Sequence, residues 1–389
     1  MAKGYIGIDT YKAYLGAAKM KKGYIGATCV YSVGNIVTYA TGNGTYQEEV
    51  DEGQSCLSPK TFTPVLSGWT FIGWRADKTA SGSVLASLAM GEEPMTLYAV
   101  FRQVITVTYY NNSTSASKAT GYRYYNNGNV ANPSFKLMQA ASTSGLTARG
   151  WSTTNKGNAS ITYNNGAAFT RDSNITLYGL YQQTITLSYA GNGNTGGSTV
   201  AQTGTRYWAP AGYINPSFTV KANGFTKTNY IFTRWKSGST AYAVGQVITL
   251  SSNLVLTAQW SLNMLSSQLQ TTGFSVSGNT YILPEKVWEL RTGVATSAYY
   301  DISEFNTLQV SGTLKLGINR NEDPSNIYLY LQSESGSLFT VGSVTGADKS
   351  VQLSNKNISS LKGRYRIYLT AQTENDGCWA TIDKFVLTA

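Results

Sequence analysis

Twenty carboxylates, no histidine and three cysteines bound the chemistry open to this 389-residue chain. Without histidine there is no Ser-His-Asp triad, no Cys-His pair, no imidazole acid–base catalyst and no zinc site of the usual kind. Cys29, Cys56 and Cys378 are odd in number and widely spaced, which gives neither a metal-ligand spacing nor a disulfide framework. Glycoside hydrolysis, a reaction that carboxylates can run, usually needs two of them facing each other. Glu304, Glu322, Asp323, Glu334, Glu374 and Asp376 stand singly or as loop pairs, and Asp323-Pro324 reads as a polar turn. Loop oxygens could bind calcium without a long motif, but the EF-hand spacing is absent. The expectation is a chain with no catalytic residues, no cofactor and no metal.

Aromatic residues are the better candidates for chemistry, as binding groups. A sugar is held by a flat ring beside amide, hydroxyl or charged groups. Near the C-terminus the chain offers Trp288, Tyr328, Tyr330, Tyr365, Tyr368 and Trp379. Tyr328 and Tyr330 share one strand face by their two-residue spacing, and so do Arg364 and Arg366. The binding set read here is Trp379 with the loop groups Asn375 and Asp376, together with Tyr328 and Tyr330, since ligand-contacting side chains concentrate on loops that strands hold rigid. For each of these aromatics, packing in or on a sheet is the competing role.

The elements that must position them are strands. Gly, Tyr, Thr, Ser and Asn are abundant and charged residues make up only 13%, the composition of extended segments joined by polar turns. The fold class expected is mainly β. One unit is written three times between residues 35 and 261. Each copy opens on an alternating strand at Ile36-Val37-Thr38-Tyr39, Ile105-Thr106-Val107-Thr108-Tyr109 and Ile185-Thr186-Leu187-Ser188-Tyr189. Each carries a late tryptophan (Trp74, Trp151, Trp235) and closes on an apolar strand ending at Phe101, Tyr181 or Trp260. The tryptophans are 77 and 84 residues apart, so the array is tandem with variable loops, not a regular solenoid. Asn-Pro-Ser-Phe at 132–135 and 215–218 recurs 16 and 17 residues before the tryptophans of copies two and three; copy one has only the looser Ser58-Pro59-Lys60-Thr61-Phe62. The three tryptophans read as structural core plugs, because one large ring buries much apolar area in a small unit.

The organisation expected is a docking arm over 1–34, modules over 35–102, 103–182 and 183–261, and a β-sandwich over 262–389. The arm doubles Lys-Gly-Tyr-Ile-Gly at 3–7 and 22–26. Each copy is too short to bury a core, so Tyr5, Ile6, Tyr24 and Ile25 read as apolar anchors for a partner. From 262 onward, alternation over 307–316, 326–331, 364–369 and 378–387 describes two facing sheets. The net charge of +10 gathers in the middle, where residues 102–261 hold twelve Lys/Arg and the single acid Asp172. That could steer the chain to an anionic surface, although no dense basic cluster exists and sequence-specific nucleic-acid binding is not expected. Nothing approaches the ~18 apolar residues of a membrane helix, and the N-terminus lacks a signal-peptide core.

The opening Ile/Val-Thr-x-Tyr strand, Phe71-Ile72-Gly73-Trp74 and Thr96-Leu97-Tyr98-Ala99-Val100-Phe101 resemble the Listeria–Bacteroides repeat, a small β-grasp-like module found in tandem in Gram-positive surface proteins and in proteins of their phages. Copy two keeps Gly150-Trp151 without the preceding aromatic, and copy three has Arg234 in place of the glycine. The doubled Lys-Gly-Tyr-Ile-Gly resembles the leader of minor structural proteins of Gram-positive phages and prophages. Tyr300-Asp301-Ile302-Ser303-Glu304-Phe305 and Ala380-Thr381-Ile382-Asp383 resemble galactose-binding-like jelly rolls, many of which bind carbohydrate. Together the resemblances imply a non-enzymatic tail or head fibre of a virion, docked on other virion proteins by its N-terminus and presenting its far end to a host wall or surface glycan. The competing expectations are a purely structural fibre or capsid decoration protein, a bacterial surface adhesin, and a wall-degrading enzyme. A homo-oligomer, such as a trimer, would suit the layout, and no heptad run fixes the number.

Overall fold

The computed structural model describes residues 35–111, 116–138, 145–283, 290–317, 325–346, 349–373 and 377–389, together with the backbone of four short strands before residue 35. Every regular element among them is a β-strand, in several sheets. The chain divides into two compact units, residues 1–183 with 206–214 and residues 184–205 with 215–389.

In the first unit, Asn35–Ala40 and Thr45–Val50 form a hairpin closed by the Gly42-Asn43-Gly44 turn. Asn35–Ala40 also runs parallel to Met95–Tyr110, with Val37 opposite Met95 and Tyr39 opposite Leu97. Thr70–Arg75 pairs antiparallel on the far side of that strand. The same four-stranded pattern follows in copy two. Ala116–Asn126 flanks the second half of Met95–Tyr110, Val107 lies parallel to Ile175, and Thr147–Ser152 completes the sheet. Copy three, in the second unit, sets Leu187 parallel to Leu254 and Tyr230–Ser237 antiparallel to Leu254–Asn263.

Each sheet alternates apolar and polar residues, and its apolar face is a core. Val37, Tyr39, Leu97, Ala99 and Phe101 build the first; Ile105, Val107, Tyr109, Leu177 and Tyr181 the second; Ile185, Leu187, Tyr189, Leu256 and Ala258 the third. A β-grasp sheet ordinarily holds a helix on this face. Here no helix occurs among the described residues, and the covering chain is extended. The Pro-, Ser- and Asn-rich covering segments lack the 3.6-residue apolar period that a helix needs. In copies two and three the Asn-Pro-Ser-Phe motif starts a short strand, Ser134–Lys136 or Ser217–Thr219, paired with Ala168–Thr170 or Val247–Thr249. Phe135 and Phe218 then enter the core at 6% and 5% exposure. Copy one has Pro59 and Pro64 in this stretch, and prolines withhold the N–H donors that such a pair requires.

Two details depart from a chain of separate beads. Met95–Tyr110 closes copy one and opens copy two without interruption, so no linker lies at residue 102. Each later copy also lends aromatics backward. Tyr125 packs on Trp69 and Phe101 of copy one, at centroid separations of 5.9 and 6.4 Å. Trp208, from the hairpin Gln202–Ala209 and Gly212–Ile214, packs on Tyr181 of copy two at 5.3 Å.

Within the second unit Leu254–Asn263 runs out of copy three and pairs with Cys378–Thr388 through Leu262–Leu387 and Asn263–Val386. The rest is a two-sheet sandwich. Cys378–Thr388 lies between Thr280–Leu283 and Thr307–Leu316 in one sheet. The other runs Gln270–Thr272, Arg291–Thr296, Arg364–Thr373, Asn326–Ser333 and Leu338–Thr345, with Tyr300–Asp301 on the side. Leu308, Val310, Leu314, Ile382 and Phe385 meet Ile327, Leu329, Leu331, Ile367 and Leu369 between them. Strict burial alternation along Asn326–Ser333 leaves Tyr328, Tyr330 and Gln332 on the outer face.

Candidate functional site

The repeat tryptophans lie at 1%, 0% and 0% exposure and offer no surface for a ligand. Each sits one residue beyond a break in the antiparallel register, opposite Ala99, Gly179 and Ala258. The bulge turns the ring inward against the tyrosine of the opening strand, with centroids 4.9, 5.3 and 4.9 Å apart. Gly73 and Gly150 take φ of 146° and 150° at this bulge, a region that disfavours side chains. Copy three forms the same bulge with Arg234, which does not adopt positive φ. The indole nitrogens differ more. Trp151 Nε1 donates to the Met138 carbonyl and Trp235 Nε1 to the Lys221 carbonyl, both at 2.9 Å, whereas Trp74 Nε1 is buried with no acceptor. The acceptor carbonyls of copies two and three lie two residues beyond the short covering strands, and copy one has no strand pair in that stretch.

The arginines of the basic middle are largely occupied by aromatic rings. Arg102 lies 5.0 Å from the Tyr122 centroid, Arg123 5.2 Å from Trp69, Arg149 4.9 Å from Tyr207 and Arg206 3.7 Å from Tyr213. Such contacts contribute about 0.5–1 kcal/mol each at exposed sites and tie strand to strand.

In the sandwich, Tyr328, Tyr330 and Tyr368 form a row on the outer face of one sheet. Tyr328 and Tyr330 stack at 5.6 Å and 14°, and Tyr330 and Tyr368, partners across the ladder, at 6.4 Å and 30°. Arg366 lies between Tyr299 at 5.0 Å and Tyr368 at 5.8 Å, and its Nε donates to Gln332 Oε1 at 2.8 Å. Burial, then the neighbouring phenols of Tyr328 and Tyr368, push the Tyr330 hydroxyl above its ordinary pKa, so it remains a neutral donor at physiological pH. At one end Arg364 pairs with Glu334 at 2.7 Å. The result is a row of rings edged by guanidinium and amide groups. Tyr368 and Arg366 complete it from the adjacent strand, a pairing that two-residue spacing within one strand does not reveal.

Trp379 does not join this row. It projects from Cys378–Thr388 in the opposite sheet, alternating with buried Cys378 and Ala380, so it lies on the other outer face with Lys315 Nζ 5.6 Å from its ring. Trp379 and the Tyr328–Tyr330 pair therefore lie on opposite outer faces, with the sandwich core between them. Asn375 and Asp376 lie outside the described residues, as do Trp288, Glu322, Asp323 and Glu374. So do Tyr5 and Ile6, while Tyr24 and Ile25 fall on the strand Lys22–Ile25, which pairs with Thr28–Ser32. Among the described residues no three His, Cys, Asp or Glu side chains gather to hold a metal ion, and no helix is long and apolar enough to cross a membrane.

The fold defines a class: a mainly β protein of tandem repeats carrying a terminal sandwich. The repeats themselves are placed by comparison, since the Listeria-Bacteroides repeat domain (List_Bact_rpt) matches residues 36–100 and 106–179. Copy three falls outside that match although its strand registers repeat those of the first two. No curated protein matches the chain. Among solved structures, a chain from "Structure of infectious bursal disease virus Gt strain" is similar at 11% identity over 75% of this chain and 70% of that one, with a TM-score of 0.18. At that score the likeness carries no argument about fold or role.

Proposed function

We propose that this chain is a non-enzymatic structural protein of a virion fibre whose terminal sandwich attaches to a glycan of the host surface. In this reading residues 1–34 dock on other virion proteins through Tyr5, Ile6, Tyr24 and Ile25. The modules over 35–102, 103–182 and 183–261 supply length, and residues 262–389 supply recognition. The chain assembles as a homo-oligomer, with a trimer as the working form. The observation that carries the attachment role is the row Tyr328–Tyr330–Tyr368 with Arg366 and Gln332 beside it. Sugar rings present flat C–H faces to aromatic rings and hydroxyls to guanidinium and amide groups. The jelly-roll resemblance and the tandem repeats support the same reading.

The test is binding of the full chain to a glycan array and to purified walls of Gram-positive cells, beside a Tyr328→Ala, Tyr330→Ala variant. Both side chains face outward, so the variant should fold. Attachment through this face predicts at least about a tenfold loss of affinity. Undiminished binding by the variant, or no binding by the parent, removes the attachment role. One observation favours a purely structural fibre instead: the tyrosines already stack on one another, which is how cross-strand pairs stabilise a sheet. Under that reading the variant loses stability and no adsorption.

A further inference from the structure

A second site lies within the second unit, where copy three meets the sandwich. The cavity there measures about 360 Å³ and is walled by Asn192, Lys227, Tyr230 and Trp260 of the repeat and by Asp301 and Glu304 of the sandwich. Its volume is near the lower end of small-ligand sites, ~300–1,000 Å³, and accommodates one sugar ring but not a chain of them. The walls are set before any ligand arrives. Leu254–Asn263 continues from one wall into the other, Asn263 N donates to the Asn229 carbonyl at 2.8 Å, and Ser266 Oγ donates to Asn229 Oδ1 at 2.7 Å.

The lining is acidic within a basic protein. Asp301 and Glu304 are exposed and form no ion pair among the described residues; Asp301 accepts from the Ser303 hydroxyl and, at 3.0 Å, from the Ser303 N–H, and these bonds, with the Arg364 charge across the strand pair, hold its carboxyl below the usual range. The nearby cations are engaged elsewhere: Lys227 Nζ sits 4.3 Å from the Tyr230 centroid and 3.5 Å from the Asn192 carbonyl, Lys362 Nζ donates to the Ser303 carbonyl at 2.7 Å, and Arg364 pairs with Glu334 at 2.7 Å. Both carboxylates act on the same point, since after burial they are the causes that raise the Tyr230 phenol above its usual pKa. Trp260 gives its indole N–H to the Gly191 carbonyl at 2.8 Å, which fixes a half-buried ring at the cavity wall. An aromatic face, an amide and two exposed carboxylates outside any ion pair among the described residues suit a small ligand with an apolar face, hydroxyls and an ammonium group.

We infer that this cavity binds a single hexosamine bearing a free amine, with its ammonium against Asp301 and Glu304 and its C–H face on Trp260. The site is distinct from the tyrosine row and does not depend on it. Saturation-transfer NMR and calorimetry on the full chain test it, with glucosamine, N-acetylglucosamine and glucose as probes. Glucosamine should bind at least about tenfold more tightly than the other two, the value of a charge-assisted contact. An Asp301→Asn, Glu304→Gln variant, altered at two exposed positions and checked for fold by circular dichroism, should lose that preference. The Tyr328→Ala, Tyr330→Ala variant should keep it. Absence of glucosamine binding at millimolar concentration, equal binding of the three sugars, or a preference surviving the carboxylate substitutions would overturn the inference. Loss of the preference in the tyrosine variant would also overturn it, by moving the ligand to the other site.

Discussion

Replacing each repeat tryptophan by phenylalanine should give unequal losses, although all three are buried to the same degree and meet an equivalent tyrosine. The substitution removes part of a packed ring and leaves a small void, costing about 1–2 kcal/mol wherever it is made. At Trp151 and Trp235 it also removes a hydrogen bond to the Met138 or Lys221 carbonyl, which adds about 1 kcal/mol. At Trp74 it removes an indole N–H that is buried without an acceptor. Burying such a donor costs about 1–3 kcal/mol, so its loss offsets the void. The expected destabilisation is therefore about 2–3 kcal/mol in copies two and three, whereas in copy one the two effects nearly cancel, leaving at most about 1 kcal/mol of loss and up to about 2 kcal/mol of gain. A single melting temperature cannot resolve this in a chain with several cores. Native-state hydrogen exchange can, read at the amides of Leu97–Phe101, Leu177–Tyr181 and Leu256–Ala258, each within its own core. If Trp74→Phe loosens its core as much as the other two substitutions loosen theirs, the assignment of an unsatisfied indole to copy one is wrong.

Three further outcomes follow from the same geometry. Gly73→Ala and Gly150→Ala should both destabilise their modules. Each needs positive φ, about 1–3 kcal/mol of strain, and neither clash is with the end of a flexible side chain: a Cβ at 150 meets the Tyr163 carbonyl at 2.8 Å and a Cβ at 73 meets Val84 Cβ at 2.9 Å; chemical denaturation that shows either variant as stable as the parent would contradict the bulge. Cys378 is buried, which pushes its thiol up to about 12, so alkylation at pH 8 followed by peptide mapping should leave it unlabelled until denaturant is added, and labelling of the native chain would contradict its burial. Burial likewise raises the Tyr39 and Tyr181 phenols to about 12. Because the folded pKa exceeds the unfolded value of ~10, their contribution to stability is fully present below pH 10 and is lost as pH rises toward 12; the urea midpoint should fall across that window, and a flat profile there would argue against the burial of both hydroxyls.

The repeats were legible because a strand's signal is local. Alternation at period 2 around Val37-Thr38-Tyr39, Val107-Thr108-Tyr109 and Leu187-Ser188-Tyr189, with a tryptophan at a recurring distance, needs no knowledge of distant chain. The closing helix-free cover was also written locally, in Pro-, Ser- and Asn-rich stretches, yet a β-grasp likeness suggests a helix there. Continuity was not legible. Polar and apolar residues alternate straight through residues 95–110, so composition marks no boundary, and only strand pairing shows one strand serving two copies.

The binding surface divides in the same way. The sequence by itself determined that histidine chemistry is absent, that the chain is built of strands, and that Tyr328 and Tyr330 share a face, because these follow from composition and from the two-residue period. Tertiary structure alone decided which strand lies beside which. It brought Tyr368 against Tyr330 and Arg366 against Gln332, partners 38 and 34 residues apart in the chain, set Trp379 on the opposite sheet, and gathered Lys227, Trp260, Asp301 and Glu304 around one cavity. Register and sheet order depend on how two apolar faces close over a common core, a property of pairs of segments that no single segment encodes.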